Sequence, residues 1–150
     1  MKKFRFPLQP VGVLRTHQEL RAREVFAAAV HHYVQAEEKL AALRKRTAEL
    51  ADVLFHGRSG QFLAADAAAL LRVYRGECQA VIEVEVEVIQ AREAMQTRRQ
   101  EYIEANRRLK IVQRLEEKAR AKHNLAAQRA SQDELDELAG FRAFRQPALS

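Results

Sequence analysis

Almost nothing in the sequence would interrupt a helix between Val11 and Gln146. The three prolines lie at positions 7, 10 and 147, and helix-breaking residues cluster only in the short run from His56 to Gly60. Ala, Glu, Arg, Leu, Gln and Lys dominate both flanking tracts, as is typical of long helices and coiled coils. We therefore predict one all-α domain over residues 1–150, with helices at about 10–56 and about 62–140 joined by a turn at 57–61.

The first tract has the spacing of a coiled-coil seam. Apolar or small residues recur in alternating steps of four and three at Ala22, Phe26, Ala29, Tyr33, Ala36, Leu40, Leu43, Thr47, Leu50 and Leu54. This alternation is the a/d pattern of heptads. Upstream, Val11, Leu14 and Gln18 keep the rhythm but reach Ala22 by an extra step of four, which predicts a local stutter.

The second tract repeats at a strict interval of seven. The repeating residues are Tyr74, Val81, Val88, Met95, Tyr102 and Leu109. The companion column is predicted to hold Leu71, Cys78, Glu85, Arg92, Arg99 and Asn106. That column would make the seam narrow and partly polar. The run Val81–Ile89 also alternates with period two, as a strand would, but helical spacing continues on both sides of it and favours a helix.

If the chain reverses between Gly57 and Gly60, the two helices pair in antiparallel fashion. The predicted facing pairs are Leu43 with Tyr74, Leu40 with Cys78, Ala29 with Val88, Ala22 with Met95, and Glu19 with Arg99. In this register the second helix outlasts the first, and Glu116–Phe144 has no partner within the chain. The fold class predicted is a long two-helix antiparallel coiled-coil hairpin with the longer helix second.

No catalytic, cofactor or metal constellation is recognisable. The five histidines, at positions 17, 31, 32, 56 and 123, are not spaced to present two ligands on one helix face, and Cys78 is the only cysteine. Gly57 and Gly60 lack the lysine and following hydroxyl of a phosphate-binding loop. We therefore expect no enzyme activity and no small-molecule substrate. No run approaches the roughly 20 apolar residues of a membrane span, and the lone cysteine favours the cytoplasm.

Positive charge is concentrated in the second helix. Between Arg98 and Arg129 there are ten basic and four acidic residues, an excess equal to the net +6 of the whole chain. An acidic protein surface is the partner that such a helix would attract. Nucleic acid is the alternative, but no recognition-helix motif and no set of base-stacking aromatic residues accompanies the charge. Few large apolar residues follow Arg114, which disfavours insertion into a membrane surface.

Both ends of the chain carry a family likeness. The residues concerned are Phe4, Arg5, Phe6, Pro7 and Leu8, then Val13 to Arg15 and Gln35 to Leu40, and finally Arg107 to Leu109, Leu115 to Lys118 and Asp133 to Ala139. This pattern resembles the FliJ family of flagellar export proteins, which is grouped with the YscO-type stalk proteins of virulence type III secretion. The likeness extends over essentially all of the chain.

The resemblance implies a cytoplasmic, non-catalytic coiled coil that associates peripherally with the inner membrane at the flagellar base. Members of the family bind the centre of the export ATPase hexamer, promote its assembly, and contact the membrane export gate and export chaperones. The expected ATPase contacts are Phe4, Phe6, Arg98, Arg99, Arg107, Arg108, Lys110 and Arg114. The expected gate contacts are Tyr74, Cys78 and Val81. A virulence-type stalk and a basic nucleic-acid-binding or scaffold coiled coil are the alternatives.

Overall fold

The computed structural model describes residues 2–59 and 63–146, with only the backbone described for residues 57–59. Two helices make up nearly all of this part of the chain: α1 spans Gln9–Ser59 and α2 spans Ala64–Arg145. The predicted fold class, an antiparallel pair of helices of which the second is longer, is confirmed. The run Val81–Ile89 lies inside α2.

Helix α1 begins at Gln9, between the two N-terminal prolines. Pro10 lies in the first turn, where its missing N–H removes no helical hydrogen bond. The Gln9 N–H donates to the Phe6 carbonyl at 3.2 Å, and the Gly12 N–H donates to the Leu8 carbonyl at 3.0 Å. Residues 2–6 before this turn have no regular secondary structure.

Helix α1 continues past the first residues of the predicted turn. Gly57 and Ser59 belong to α1, whereas residues 60 and 61 of the predicted turn lie outside the described residues. A glycine costs a helix only about 1 kcal/mol relative to alanine, so Gly57 alone does not end α1. The chain therefore reverses later than the glycine pattern indicates.

The ends of α2 satisfy the free backbone groups of a helix. The Asp66 and Ala67 N–H groups donate to the Leu63 carbonyl at 3.0 and 3.1 Å, and the Asp66 carboxylate lies in the first turn, where the helix dipole favours negative charge. At the other end, Arg142 and Arg145 place positive charge in the last turn. Helix α2 thus extends beyond the predicted end at about residue 140.

Contacts divide the chain into two compact units. The hairpin unit is Leu20–Glu104, and the terminal unit is Met1–Glu19 together with Ala105–Ser150. In the hairpin unit, ion pairs join Arg46 to Glu77, Arg44 to Glu85 and Lys39 to Glu87. In the terminal unit, the Phe4 ring lies beside the His123 ring. Within each unit, residue numbers fall along one segment as they rise along the other, so the pairing is antiparallel.

The predicted register is wrong. It sets Ala22 opposite Met95 and Ala29 opposite Val88, whereas Phe26, which lies between those two alanines, stacks on Tyr102. The register differs from the prediction because the chain reverses later than expected. In an antiparallel pair, moving the reversal point by one residue moves each facing residue by two. The ion-paired residues of the hairpin unit follow the same displaced register.

The α1 seam predicted from heptad spacing is confirmed in the hairpin unit. Every member is buried or half-buried: Ala22, Phe26, Ala29, Tyr33, Ala36, Leu40, Leu43, Thr47, Leu50 and Leu54. Among these, Ala36 and Leu40 are the most deeply buried. The a/d spacing of α1 therefore marks the side that packs against α2.

The α2 seam is confirmed in one column and corrected in the other. The column with an interval of seven is half-buried throughout. Its companion in the hairpin unit is Leu70, Glu77, Val84 and Ala91, and in the terminal unit Ala105, Val112 and Ala119. Val84, Ala91 and Val112 are buried, whereas Arg92 and Arg99 of the predicted column are exposed. The seam is thus more apolar than predicted.

The predicted stutter near the start of α1 is absent from the terminal unit. Val11 and Leu14 are exposed, whereas Gly12, Arg15 and Glu19 are the buried or half-buried residues. These three positions continue the alternation of steps that reaches Ala22, so no extra step is needed. The hydrophobic pattern predicted the wrong seam residues here, because the three residues that occupy the seam are a glycine, an arginine and a glutamate.

The N-terminal segment covers more of α2 than the predicted register allows. Glu116, Ala119 and His123 are half-buried, although the register left Glu116–Phe144 without a partner. The fully exposed part of α2 is shorter: every residue from Gln132 to Arg145 is exposed.

Candidate functional site

Phe4 and Phe6 fasten the N-terminal segment to α2 in the terminal unit. The Phe4 ring lies 5.4 Å from the His123 ring at a tilt of 53°, and the Arg120 guanidinium stands 4.9 Å from the Phe4 centroid. A cation over an aromatic face is attracted by the negative potential of the ring. Phe6 is 8% exposed, the lowest exposure among the residues of the segment. Both rings therefore have partners within the chain.

A shallow groove adjoins Phe6 in the same unit. It is lined by Phe6, Gln9, Gly12, Val13, Thr16, Leu109, Val112, Gln113 and Glu116. At Gly12 an added Cβ would lie 3.4 Å from Cγ1 of Val112, which is about van der Waals contact, so α1 and α2 pack closely at this point. Glu116 is the one ionisable side chain in this lining, so the groove holds no pair of groups for acid-base chemistry.

A basic face runs along α2 in the terminal unit. Arg107, Lys110, Arg114 and Lys118 follow one another in steps of three and four, and all four are exposed. On the opposite side of the same helix lie the seam residues Leu109 and Val112. Four members of the cluster predicted from charge counting therefore form a continuous stripe directed away from the packed side.

The other predicted ATPase contacts lie elsewhere on the surface of α2. In the hairpin unit, Arg98 forms a 2.9 Å ion pair with Glu101, and Arg99 is exposed beside Gln96 and Gln100. Arg108, in the terminal unit, is exposed but does not share the face of Arg107 and Lys110. The eight residues predicted as one contact surface are thus not all on one face.

The three predicted gate residues are half-buried in the hairpin unit. Tyr74 and Val81 belong to the seam column, as their interval of seven indicates. A hydrogen bond from the Tyr74 hydroxyl to the Cys78 sulfur raises the pKa of Tyr74 above its ordinary value of 10.0. Each of the three side chains keeps part of its surface open to solvent while packing against the helix pair.

Beside them lies an exposed apolar row that sequence reasoning did not identify as a separate surface. Leu71, Ile82 and Ile89 of α2 are exposed, and Val86 lies next to the last two. The spacing of Ile82, Val86 and Ile89, in steps of four and three, was the signal that could have shown this row. It was obscured because these residues stand among seam valines in the Val81–Ile89 run.

The comparison with family models decides the family. The model described as flagellar FliJ protein matches residues 4–148. The chain belongs to the FliJ family. Neither the comparison with curated proteins nor that with solved structures gave a match.

Membership of the FliJ family makes this a flagellar export-related coiled-coil protein. Among the described residues, no three His, Cys, Asp or Glu side chains come together in a way that could hold a metal ion. Over the same residues, neither FliJ-type helix contains a segment long and apolar enough to cross a membrane.

Proposed function

We propose that this chain is the stalk of a flagellar protein-export ATPase: a non-catalytic coiled coil that binds at the centre of the ATPase ring and promotes its assembly. In this role it also links the ring to the membrane export gate and to export chaperones at the inner face of the membrane. The observation that carries the proposal is the family match over residues 4–148. The antiparallel helix pair with its one-sided basic stripe supports it.

The ATPase contact is proposed to centre on the basic stripe. Arg107, Lys110 and Arg114 are exposed on the side of α2 opposite the seam, so a partner can reach them without disturbing the packing. Their common charge calls for an acidic partner surface, and it would speed the encounter as well as stabilise the complex. Arg98, Arg99 and Arg108 are proposed as further ATPase contacts that are separate from the stripe.

Phe4 and Phe6 are proposed to act on the ATPase contact indirectly. Both rings are held within the terminal unit, Phe4 against His123 and Arg120, and Phe6 in the packed interior. Their contribution would be to fix the N-terminal segment on α2 and so keep the basic stripe in a defined position. Loss of either ring should then weaken ATPase binding only as far as it loosens the terminal unit.

Stimulation of ATP hydrolysis tests the proposal. The chain carrying Arg107→Glu, Arg108→Glu, Lys110→Glu and Arg114→Glu is mixed with the export ATPase, and hydrolysis and ring assembly are measured. We expect at least a tenfold loss of apparent affinity for the ATPase, because three of the new negative charges, at positions 107, 110 and 114, would face an acidic surface.

The matched control has the same change in net charge at four exposed basic residues of the hairpin unit. Its substitutions are Arg21→Glu, Lys45→Glu, Arg72→Glu and Arg75→Glu. The control should stimulate hydrolysis as the parent chain does. Equal stimulation by both quadruple variants would refute the basic stripe as the ATPase contact, and no stimulation by the parent chain would refute the stalk function.

The gate contact is proposed to use Tyr74, Cys78 and Val81, extended by the exposed apolar row. The three half-buried residues expose only a small part of their surface to a partner, whereas Ile82 and Ile89 each expose more than half. Exposed apolar side chains in register on one helix face are a common form of docking surface. Binding of the gate's cytoplasmic domain should therefore fall with Ile82→Ala and Ile89→Ala while helix content stays unchanged.

The seam residues separate packing from recognition in this test. Tyr74→Ala and Val81→Ala should lower both thermal stability and gate binding, because these side chains also hold the helices together. Gate binding that survives all four substitutions would remove this part of α2 from the proposal.

A further inference from the structure

The side of α2 opposite the N-terminal segment carries a second stripe in the terminal unit. Val112, Glu116, Ala119 and His123 are buried or half-buried under the N-terminal residues. The residues about half a turn away form the outer stripe, Ala121, Leu125, Gln128, Gln132, Leu135 and Ala139. All six are exposed and follow one another in alternating steps of four and three. This is the spacing of a coiled-coil seam, here without a partner among the described residues.

The outer stripe has the same residue order in both directions. Its order is Ala, Leu, Gln, Gln, Leu, Ala. If a second identical helix lies antiparallel on it, Leu125 meets Leu135, Ala121 meets Ala139, and Gln128 meets Gln132 of the other copy. Such a twofold pairing matches every residue with its own kind, and each a position meets a d position, as antiparallel coiled coils require.

Charge favours the same pairing. The segment preceding the stripe's centre is basic, with Lys118, Arg120 and Lys122, whereas the segment following it contains Asp133, Glu134, Asp136 and Glu137. An antiparallel copy sets basic against acidic at both ends. Beside the seam, Lys122 of one copy faces Asp136 of the other. Arg129 falls near the twofold axis opposite its own copy, with Asp133 of the second chain one turn away.

We infer that the outer stripe binds a second copy of this chain, forming an antiparallel homodimer with its twofold axis near Ala130. The paired stretch, residues 121–139, spans roughly 28 Å of helix at about 1.5 Å per residue. Such a contact is at the small end of specific interfaces, so the dimer is transient and forms at high protein concentration. This inference does not depend on the proposed export function.

Sedimentation equilibrium of the full chain tests the dimer. From low micromolar to high submillimolar concentration, the average mass should rise from 17.2 kDa toward twice that value. A mass that stays at 17.2 kDa over the whole range would overturn the proposal. A rise beyond the dimer mass without a plateau would also count against it, because a closed twofold contact stops at two chains.

Two apolar substitutions show which face is used. Leu135 is 59% exposed on the outer stripe. Phe141 is 70% exposed and lies off the stripe, about a third of a turn around the helix from Leu135. Leu135→Ala should weaken association about tenfold, because the dimer contains two contacts between Leu125 and Leu135 and the substitution removes both. Phe141→Ala should leave association unchanged. The reverse result would place the contact on another face and overturn the inference. Circular dichroism of both variants checks that the helix is retained.

A charge exchange gives the sharpest test. Lys122→Glu alone and Asp136→Lys alone each set like charges opposite one another, so each variant should be more weakly associated than the parent chain. An equimolar mixture of the two variants should recover parent-like association, because the charges that face each other between the two different chains are then again opposite in sign. Recovery on mixing requires the two positions to meet between chains. Failure to recover would refute the proposed register.

Discussion

Phe26 of α1 stacks on Tyr102 of α2 in the hairpin unit, with ring centroids 5.9 Å apart and planes only 9° from parallel. Two large rings meeting in this way leave little freedom for one helix to slide along the other, since a shift of one heptad would separate them. The ion pair between Lys39 and Glu87 has the same register. The aromatic pair dominates, because exposed ion pairs contribute at most about 1 kcal/mol each.

Cross-linking tests this register. In a Cys78→Ser background, Phe26→Cys with Tyr102→Cys should be joined by a short thiol-specific cross-linker, because the two side chains face each other across the helix pair. Phe26→Cys with Ala91→Cys is the matched control, since Ala91 lies three turns of α2 away from Tyr102. Mass spectrometry after thiol labelling distinguishes closed from open pairs. Preferential closure of the control pair would restore the register predicted from sequence.

A second prediction concerns the corrected seam column. Val84 is 4% exposed and Val86 is 49% exposed, although the two stand alike among glutamates in the sequence. Val84→Asn should lower the free energy of unfolding by roughly 2 to 3 kcal/mol, because it loses apolar burial and leaves an amide without partners. Val86→Asn should change it by less than about 0.5 kcal/mol.

Thermal and urea unfolding, followed by circular dichroism, measure both variants. Equal losses of stability would mean that the run Val81–Ile89 is not oriented as described. The column predicted from sequence gives a third comparison at Arg92, which is exposed. Arg92→Ala should be close to neutral, whereas a true seam position would not be.

Periodicity was sufficient for the fold and for half of the seam. The ten α1 positions and the Tyr74–Leu109 column could be found because large or small apolar residues recur without exception. The companion column could not be found in this way, because two residues compete for the seam position after Tyr74. Glu77 lies three positions after it and Cys78 lies four positions after it. Polarity favoured Cys78. In the structure Glu77 is half-buried because its carboxylate pairs with Arg46 of α1 at 3.6 Å.

The candidate surfaces were harder to predict than the fold. Charge counting found the basic stretch. Only helix geometry shows that Arg107 and Lys110 share a face of α2 on which Arg98 does not lie. Phe4 and Phe6 were identified through family resemblance, and the sequence alone could not show that both rings pack within the chain. Register was the weakest prediction, because it depends on where a helix ends, and one glycine does not determine that.

A third prediction concerns the N-terminal segment. Phe6 is 8% exposed whereas Leu8, two residues later, is 42% exposed. Phe6→Ala should destabilise the terminal unit by roughly 3 kcal/mol, the cost of removing a buried ring. Leu8→Ala should cost less than about 1 kcal/mol. With Phe6 gone, the segment should detach, and trypsin should cut after Lys3 and Arg5 many times faster.

Limited proteolysis with mass analysis measures this directly. The Leu8→Ala variant is the control, and its cleavage rate should stay within about twofold of the parent chain. Equal acceleration in both variants would mean that the exposed Leu8 side chain holds the segment as strongly as the Phe6 ring does. No acceleration in either variant would mean that the segment is held by its backbone turn near Pro7.

The last prediction concerns alkaline pH and Tyr33. Its hydroxyl donates a 2.5 Å hydrogen bond to the Glu37 carboxylate, and this bond, followed by desolvation and the negative charge of Glu37, raises the pKa of Tyr33 above 10.0. Nearby Arg92 opposes the shift without reversing it. The folded chain therefore holds the Tyr33 proton more tightly than the unfolded chain. The resulting stabilisation is complete below pH 10.0 and is lost as pH rises through the raised pKa.

Titration of tyrosinate absorbance, with Tyr33→Phe to assign the late-titrating group, measures the shift. Unfolding experiments across the window above pH 10.0 measure its consequence: the parent chain should lose more stability there than Tyr33→Phe does. Glu37→Gln is the matched control, because it keeps a hydrogen-bond acceptor and removes the charge. In that variant the pKa of Tyr33 should fall back toward its ordinary value, since a neutral amide oxygen holds the phenol proton less strongly. A Tyr33 titration unchanged by Glu37→Gln would show that the carboxylate does not cause the shift.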